Sequence, residues 1–116
     1  MTGTTFRLTT ICLIASLLPV AASGEGYSCA GRAPDWTLEV SEAGATLDYQ
    51  RQSELDIALR TRAEGADWPR ALTLIGRGDS AILLLEPQDS EGLHRARVLT
   101  QRGETPILLI GQCQPG

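Results

Sequence analysis

Few side chains in this chain could do chemistry. His94 is its single histidine. A hydrolytic triad would have to draw on it together with Ser80 or Ser90 and Asp79 or Asp89, yet no Gly-x-Ser-x-Gly elbow accompanies them. One imidazole without a second histidine or a free thiol makes a poor metal site, so a half-exposed strand histidine is expected. Gly76, Arg77, Gly78 and Asp79 lack the lysine and the following helix of a phosphate-binding loop and read as a hairpin turn. Glu54 and Asp56 point the same way from a strand and could hold a cation or exchange protons, but solvated acids are ordinary on the wet face of a sheet. The reading expects no catalytic residue, no metal ligand and no cofactor.

Binding residues are easier to nominate. Arg95 and Arg97 share one strand face and, with Arg102, would suit an acidic or sugar-acid partner, because guanidinium groups grip carboxylate and phosphate through two bonds at once. Pairing with acids on a neighbouring strand would also account for them. Trp36 fits an inward alternation. Trp68, beside Pro69 after a polar loop, is either a core plug or an exposed contact.

The compartment follows from the first residues. Arg7 precedes the apolar run Ile11, Cys12, Leu13, Ile14, Ala15, Ser16, Leu17 and Leu18, and the small residues Val20 to Gly24 follow it, which is the order of a cleavable export signal. The run is shorter than the ~20 residues needed to span a bilayer, is interrupted by Pro19, and has no basic stop-transfer cluster behind it. The expected organisation is a signal peptide over 1–23 and one domain over 24–116, periplasmic or secreted, with no integral membrane anchor after cleavage. Cys12 would leave with the signal.

Cys29 and Cys113 then remain, in a compartment where disulfides persist. One intramolecular bridge is possible, the alternatives being two free thiols or a bridge between chains. If the bridge forms, the two Cα atoms should lie ~4.4–6.8 Å apart. Without Arg7, nine arginines face fourteen acids, and lysine is absent. An acidic domain of net charge near −5 excludes nucleic acid as the expected partner.

The elements that must position these residues alternate with a period of two. Trp36, Leu38 and Val40, then Leu47 and Tyr49, then Leu55, Ile57 and Leu59 are separated by polar residues, as in strands with one buried and one wet face. Ala71 to Ile75 and Ala81 to Leu85 flank the glycine-rich turn. The continuous run Ile82 to Leu85 suggests a strand buried on both faces or a helix fragment, and its length favours the strand. Leu93 to Thr100 and Pro106 to Gly111 complete about seven strands. The expected fold is all-β, a small antiparallel barrel or curled meander with up-and-down order.

The segment Tyr27 to Val40 places Cys29, Gly31, Pro34 and Trp36 in the order Cys-x-Gly-x-x-Pro-x-Trp, and the chain closes on Leu109, Ile110, Gly111, Gln112, Cys113. These two motifs resemble a family of small exported bacterial β proteins, itself distantly similar to periplasmic inhibitors of c-type lysozyme. The resemblance implies a small exported barrel. The inhibitors' Ser-Gly-x-x-Tyr loop and later lysine have no counterpart here, so no inhibitory residue carries over. The leading expectation is a non-enzymatic exported domain that binds an envelope component or a protein, and the second is a lysozyme-inhibitor-like protein.

Overall fold

The computed structural model describes residues 26–102 and 105–116. The expected signal segment, with Cys12, lies outside them. Eight strands follow one another: β1 (Tyr27–Gly31), β2 (Trp36–Ser41), β3 (Gly44–Tyr49), β4 (Arg51–Arg62), β5 (Pro69–Ile75), β6 (Asp79–Gln88), β7 (His94–Arg102) and β8 (Thr105–Pro115). Each pairs antiparallel with the next, and β1 pairs with β8, closing an up-and-down barrel. An eight-stranded barrel has an interior just wide enough for side chains to fill. Here Leu38, Leu47, Leu72, Leu74, Leu83, Val98 and Leu109 fill it, each fully buried, while Ala45, Ala81 and Ala96 take the narrower places.

The expected count of about seven strands is one short. The missing strand is β1, whose five residues include Ser28, Ala30 and Gly31; two inward side chains, Tyr27 and Cys29, are too few to show a period. The cysteines accordingly lie within the first and last strands rather than beside them. Cys29 and Cys113 are directly opposed across the β1–β8 seam and joined by a disulfide, with Cα atoms 4.0 Å apart. That separation is shorter than the expected range and close to the ~4.5 Å of a directly facing antiparallel pair that exchanges no backbone hydrogen bonds.

The resembling motifs meet at this seam. The Trp36 indole lies over Gly31 and Gly111, and its Nε1 donates to the Ile110 carbonyl at 3.2 Å. A Cβ on Gly31 would overlap Trp36 Nε1 and the Ile110 carbonyl oxygen, and one on Gly111 would overlap the Ala30 carbonyl oxygen. Both glycines are therefore required by close approach of backbone and ring. The two cysteines, two glycines and one tryptophan form one closure unit, which explains their spacing in structural terms.

Two irregularities decide what faces outward. β4 pairs with β3 as far as Leu55 and with β5 from Asp56 onward, so it changes partner at its middle. A register shift between Ile57 and Leu59 then turns Leu59 out, against the alternation expected of it, and leaves it 58% exposed. The other irregularity that matters here falls in β6 between Leu85 and Gln88, opposite Arg95. Ile82 to Leu85 is not buried on both faces: Leu83 and Leu85 point inward, whereas Ile82 and Leu84 stand on the outer face.

Candidate functional site

The outer face of the barrel divides by composition. On β1 to β4 it carries Ser28, Thr37, Glu39, Thr46, Asp48, Gln52, Glu54 and Asp56, with Glu39 and Glu54 held by neutral neighbours. Ser28 Oγ donates to Glu39 at 2.7 Å, while Thr46 Oγ1 and Gln52 Nε2 donate to Glu54 at 3.2 and 3.3 Å. Glu54 and Asp56 do share a face, and the hydrogen bonds that Glu54 receives there are those of an ordinary solvated strand surface.

From β4 to β8 large aliphatic residues stand among the outward positions in aligned rows. Leu59, Thr73, Ile82, Leu99 and Leu108 form one directly paired row across five strands, and Thr61, Ala71, Leu84, Arg97 and Ile110 form the next. The large members of these rows are between 37% and 63% exposed. Single exposed leucines need no explanation, but contiguous ones mark an interaction surface.

Arg97 interrupts the second row, and two further arginines border it. Arg70, Arg95 and Arg97, with Leu84, Leu85 and Glu86, line one open trough of about 180 Å³. A neighbouring trough of about 430 Å³ runs from Glu86, Arg95 and Arg97 to Ile110 and Gln112. Arg97 pairs with Glu86 at 3.3 Å, and both side chains are about half exposed. An ion pair this wet contributes only ~0–1 kcal/mol, so Arg97 can exchange it for another anion at little cost. Among the described residues Arg70 and Arg95 have no hydrogen-bond partner, and Arg95 acts only through space on Asp89.

The β6 bulge shapes this trough from inside. His94 is 1% exposed, not half-exposed as expected, and its Nδ1–H donates to the Glu86 carbonyl at 2.6 Å. Its ring sits between Tyr27, edge-on at 5.6 Å, and Trp68 at 5.1 Å. His94 therefore fastens the extra residues of the bulge to the core, and the bulge turns the Glu86 carboxylate toward Arg97. Bulges commonly re-aim side chains in this way. The side chain is a structural tie.

The other nominated residues fall elsewhere. Trp68 is half-buried, packed on the core and on His94, so of its two readings the plug describes it better. Arg102 lies five residues past Arg97, at the other end of β7, paired with Asp79 and Thr105; its side chain is outside the described residues. Asp79 belongs to β6 rather than to the turn before it. It is buried and receives Ser53 Oγ at 2.6 Å and Arg51 at 3.0 Å, a polar plug at one end of the barrel.

Arg70 and Glu86 escaped the sequence reading because bulges and cross-strand neighbours, not spacing along the chain, bring them to Arg95 and Arg97. The run Ile82 to Leu85 is the available signal for the apolar rows, but consecutive apolar positions read as a strand buried on both faces or a helix fragment. Comparisons with protein-family models, with curated proteins and with solved structures found no match, so the interpretation of this face stands on its geometry alone.

Proposed function

We propose that the domain is a non-enzymatic binding module, exported to the periplasm or beyond, whose outer β5–β8 face holds an envelope component or an envelope protein. The observation that carries this reading is the aligned aliphatic surface of Ile82, Leu84, Leu99, Leu108 and Ile110 on one half of a barrel whose other half is polar outside. Leaving such residues in water forgoes ~1.5–3 kcal/mol for each side chain that could be fully buried. A partner recovers part of that. The Cys29–Cys113 bridge supports the compartment, because such bonds persist where the surroundings are oxidising.

The test is fractionation of the full chain expressed in a bacterium, beside the double variant Leu99→Asn/Leu108→Asn. The expected result is a processed, bridged wild type that sediments with the envelope, and a variant of equal melting temperature released into the soluble periplasmic fraction. Cytoplasmic retention, or a variant that sediments as well as wild type, overturns the reading.

A further inference from the structure

Resting on that reading, we propose that the occupant of the β5–β8 face is a lipid surface with anionic headgroups. Arg70, Arg95 and Arg97 would contact the headgroups, and Leu84, Leu99, Leu108 and Ile110 would enter the boundary with the acyl chains.

Charge complementarity favours this occupant. The domain is acidic overall, yet three guanidinium groups border the aliphatic rows, against Glu86 in the troughs and Asp89 beside Arg95. The outward acids Glu39, Asp48 and Glu54 belong to β2, β3 and the first half of β4, away from the arginines. A barrel of eight strands spaced ~4.8 Å apart has a backbone diameter of roughly 15 Å. Screening at physiological salt acts over ~8 Å, so an anionic plane against β5–β8 meets the arginines while the far acids are screened. The resulting charge asymmetry also orients the molecule before contact.

Shape and side-chain type point the same way. The outer wall of a closed barrel is convex, which suits a deformable surface better than a rigid one. Protein hot spots are commonly anchored by Trp and Tyr seated in packed pockets; the large outward apolar side chains here are all Leu and Ile, with no aromatic among them. Pairing this face with a second copy about a two-fold axis would gather six arginines and two glutamates into one interface, and like charges there disfavour it.

The test is co-sedimentation of the exported, bridged protein with vesicles of phosphatidylglycerol and phosphatidylcholine in equal parts, or of phosphatidylcholine alone. Binding to the anionic vesicles should be roughly twentyfold to thirtyfold tighter, since each arginine near such a surface contributes about a fivefold change in affinity and Glu86 offsets one of the three. It should weaken steeply with salt. Arg95→Glu/Arg97→Glu should abolish the preference, Leu99→Asn/Leu108→Asn should weaken binding to both vesicles, and Glu39→Gln/Asp48→Asn on β2 and β3, across the barrel, should change neither. Equal binding to the two vesicles, no binding, or an undisturbed arginine variant overturns the lipid proposal. If vesicles fail while wild type still sediments with the envelope and Leu99→Asn/Leu108→Asn does not, the occupant is a protein and the function reading stands. If both assays fail, both readings fall.

Discussion

The two halves of this barrel share an inner face and differ in the outer one. Inside, β1 to β4 and β5 to β8 contribute the same kind of side chain: Leu38 and Leu47 from one half, Leu72, Leu83 and Leu109 from the other. Outside, the first half presents hydroxyls, amides and acids bonded to each other across strands, and the second presents leucine, isoleucine and arginine. Folding explains the inner face, because an apolar interior is what stabilises any small barrel. It does not explain why one outer half departs from the other. The difference teaches that an outward strand position reports on the surroundings of a domain, whereas an inward position reports on its stability.

The largest expected effect comes from neighbours on β8 that face opposite ways. Leu109 is fully buried and Leu108 half exposed. Leu109→Ala should cost ~2–5 kcal/mol through lost burial and the cavity left behind, while Leu108→Ala should stay within about 0.5 kcal/mol. Urea unfolding of both variants measures the contrast, and similar costs would mean that the outer row is structural after all.

Next in size is the seam that joins the halves. Cys29→Ser/Cys113→Ser should lower stability by ~2–4 kcal/mol, because an 84-residue separation leaves a large loop unconstrained in the unfolded chain. The melting temperature should fall by about 8–30 °C, at ~4–8 °C per kcal/mol for a domain of this size. Vesicle binding at low temperature should survive, since Arg70, Arg95 and Arg97 lie on β5 and β7 and Cys113 points inward from β8. Loss of binding in a folded variant would merge the two roles that the comparison separates.

A smaller effect sharpens the contrast of surfaces. The environment-sensitive fluorescence of an apolar dye should rise with the wild type and drop by roughly half or more in Leu99→Asn/Leu108→Asn, since exposed aliphatic surface is what such a dye finds. Thr46→Ala on the polar half should leave it unchanged. Equal signals from both variants would remove the asymmetry.

The smallest effect lies in the loop after β6. Asp89 Oδ1 accepts the Leu93 and Glu91 amides at 3.0 and 2.8 Å. These bonds, Leu93 first, hold its carboxyl below the usual carboxylate range, with a further contribution from the charge of Arg95. A lowered folded value means that the loop's contribution is present above the ordinary value near pH 4 and fades as pH falls through the folded one. Amide exchange at Glu91 and Leu93 should therefore stay slow at pH 5 and quicken, relative to intrinsic rates, only toward the most acidic conditions. Asp89→Asn should remove that dependence. An unchanged profile in the variant would show that the carboxylate does not govern the loop.

Much of the fold was legible because regular alternation is a local signal. β2 and β3 follow it without a break, and the inward Trp36, Leu38, Val40, Leu47 and Tyr49 are buried as read. β1 was illegible because a short seam strand of small residues carries almost no period. Leu59 was misplaced because a bulge reverses alternation without leaving a mark on composition. His94 was misplaced because its burial depends on Tyr27 and Trp68, which arrive from strands and loops far along the chain. The site was half legible: Arg95 and Arg97 were visible as a pair, and the aliphatic rows beside them exist only once β6, β7 and β8 are set in register.

The closure unit has a mechanical consequence. Gly116 donates its amide to the Gly26 carbonyl at 3.0 Å, so the described chain enters and leaves the barrel side by side, only a few residues from the bridge. The covalent bond turns everything between Cys29 and Cys113 into a ring. A pull applied through residues 26 and 116 peels a short stretch of β1 from β8, reaches the two sulfurs, and stops there. The load then runs through a single bond, and the strands that carry the outer face remain unstressed.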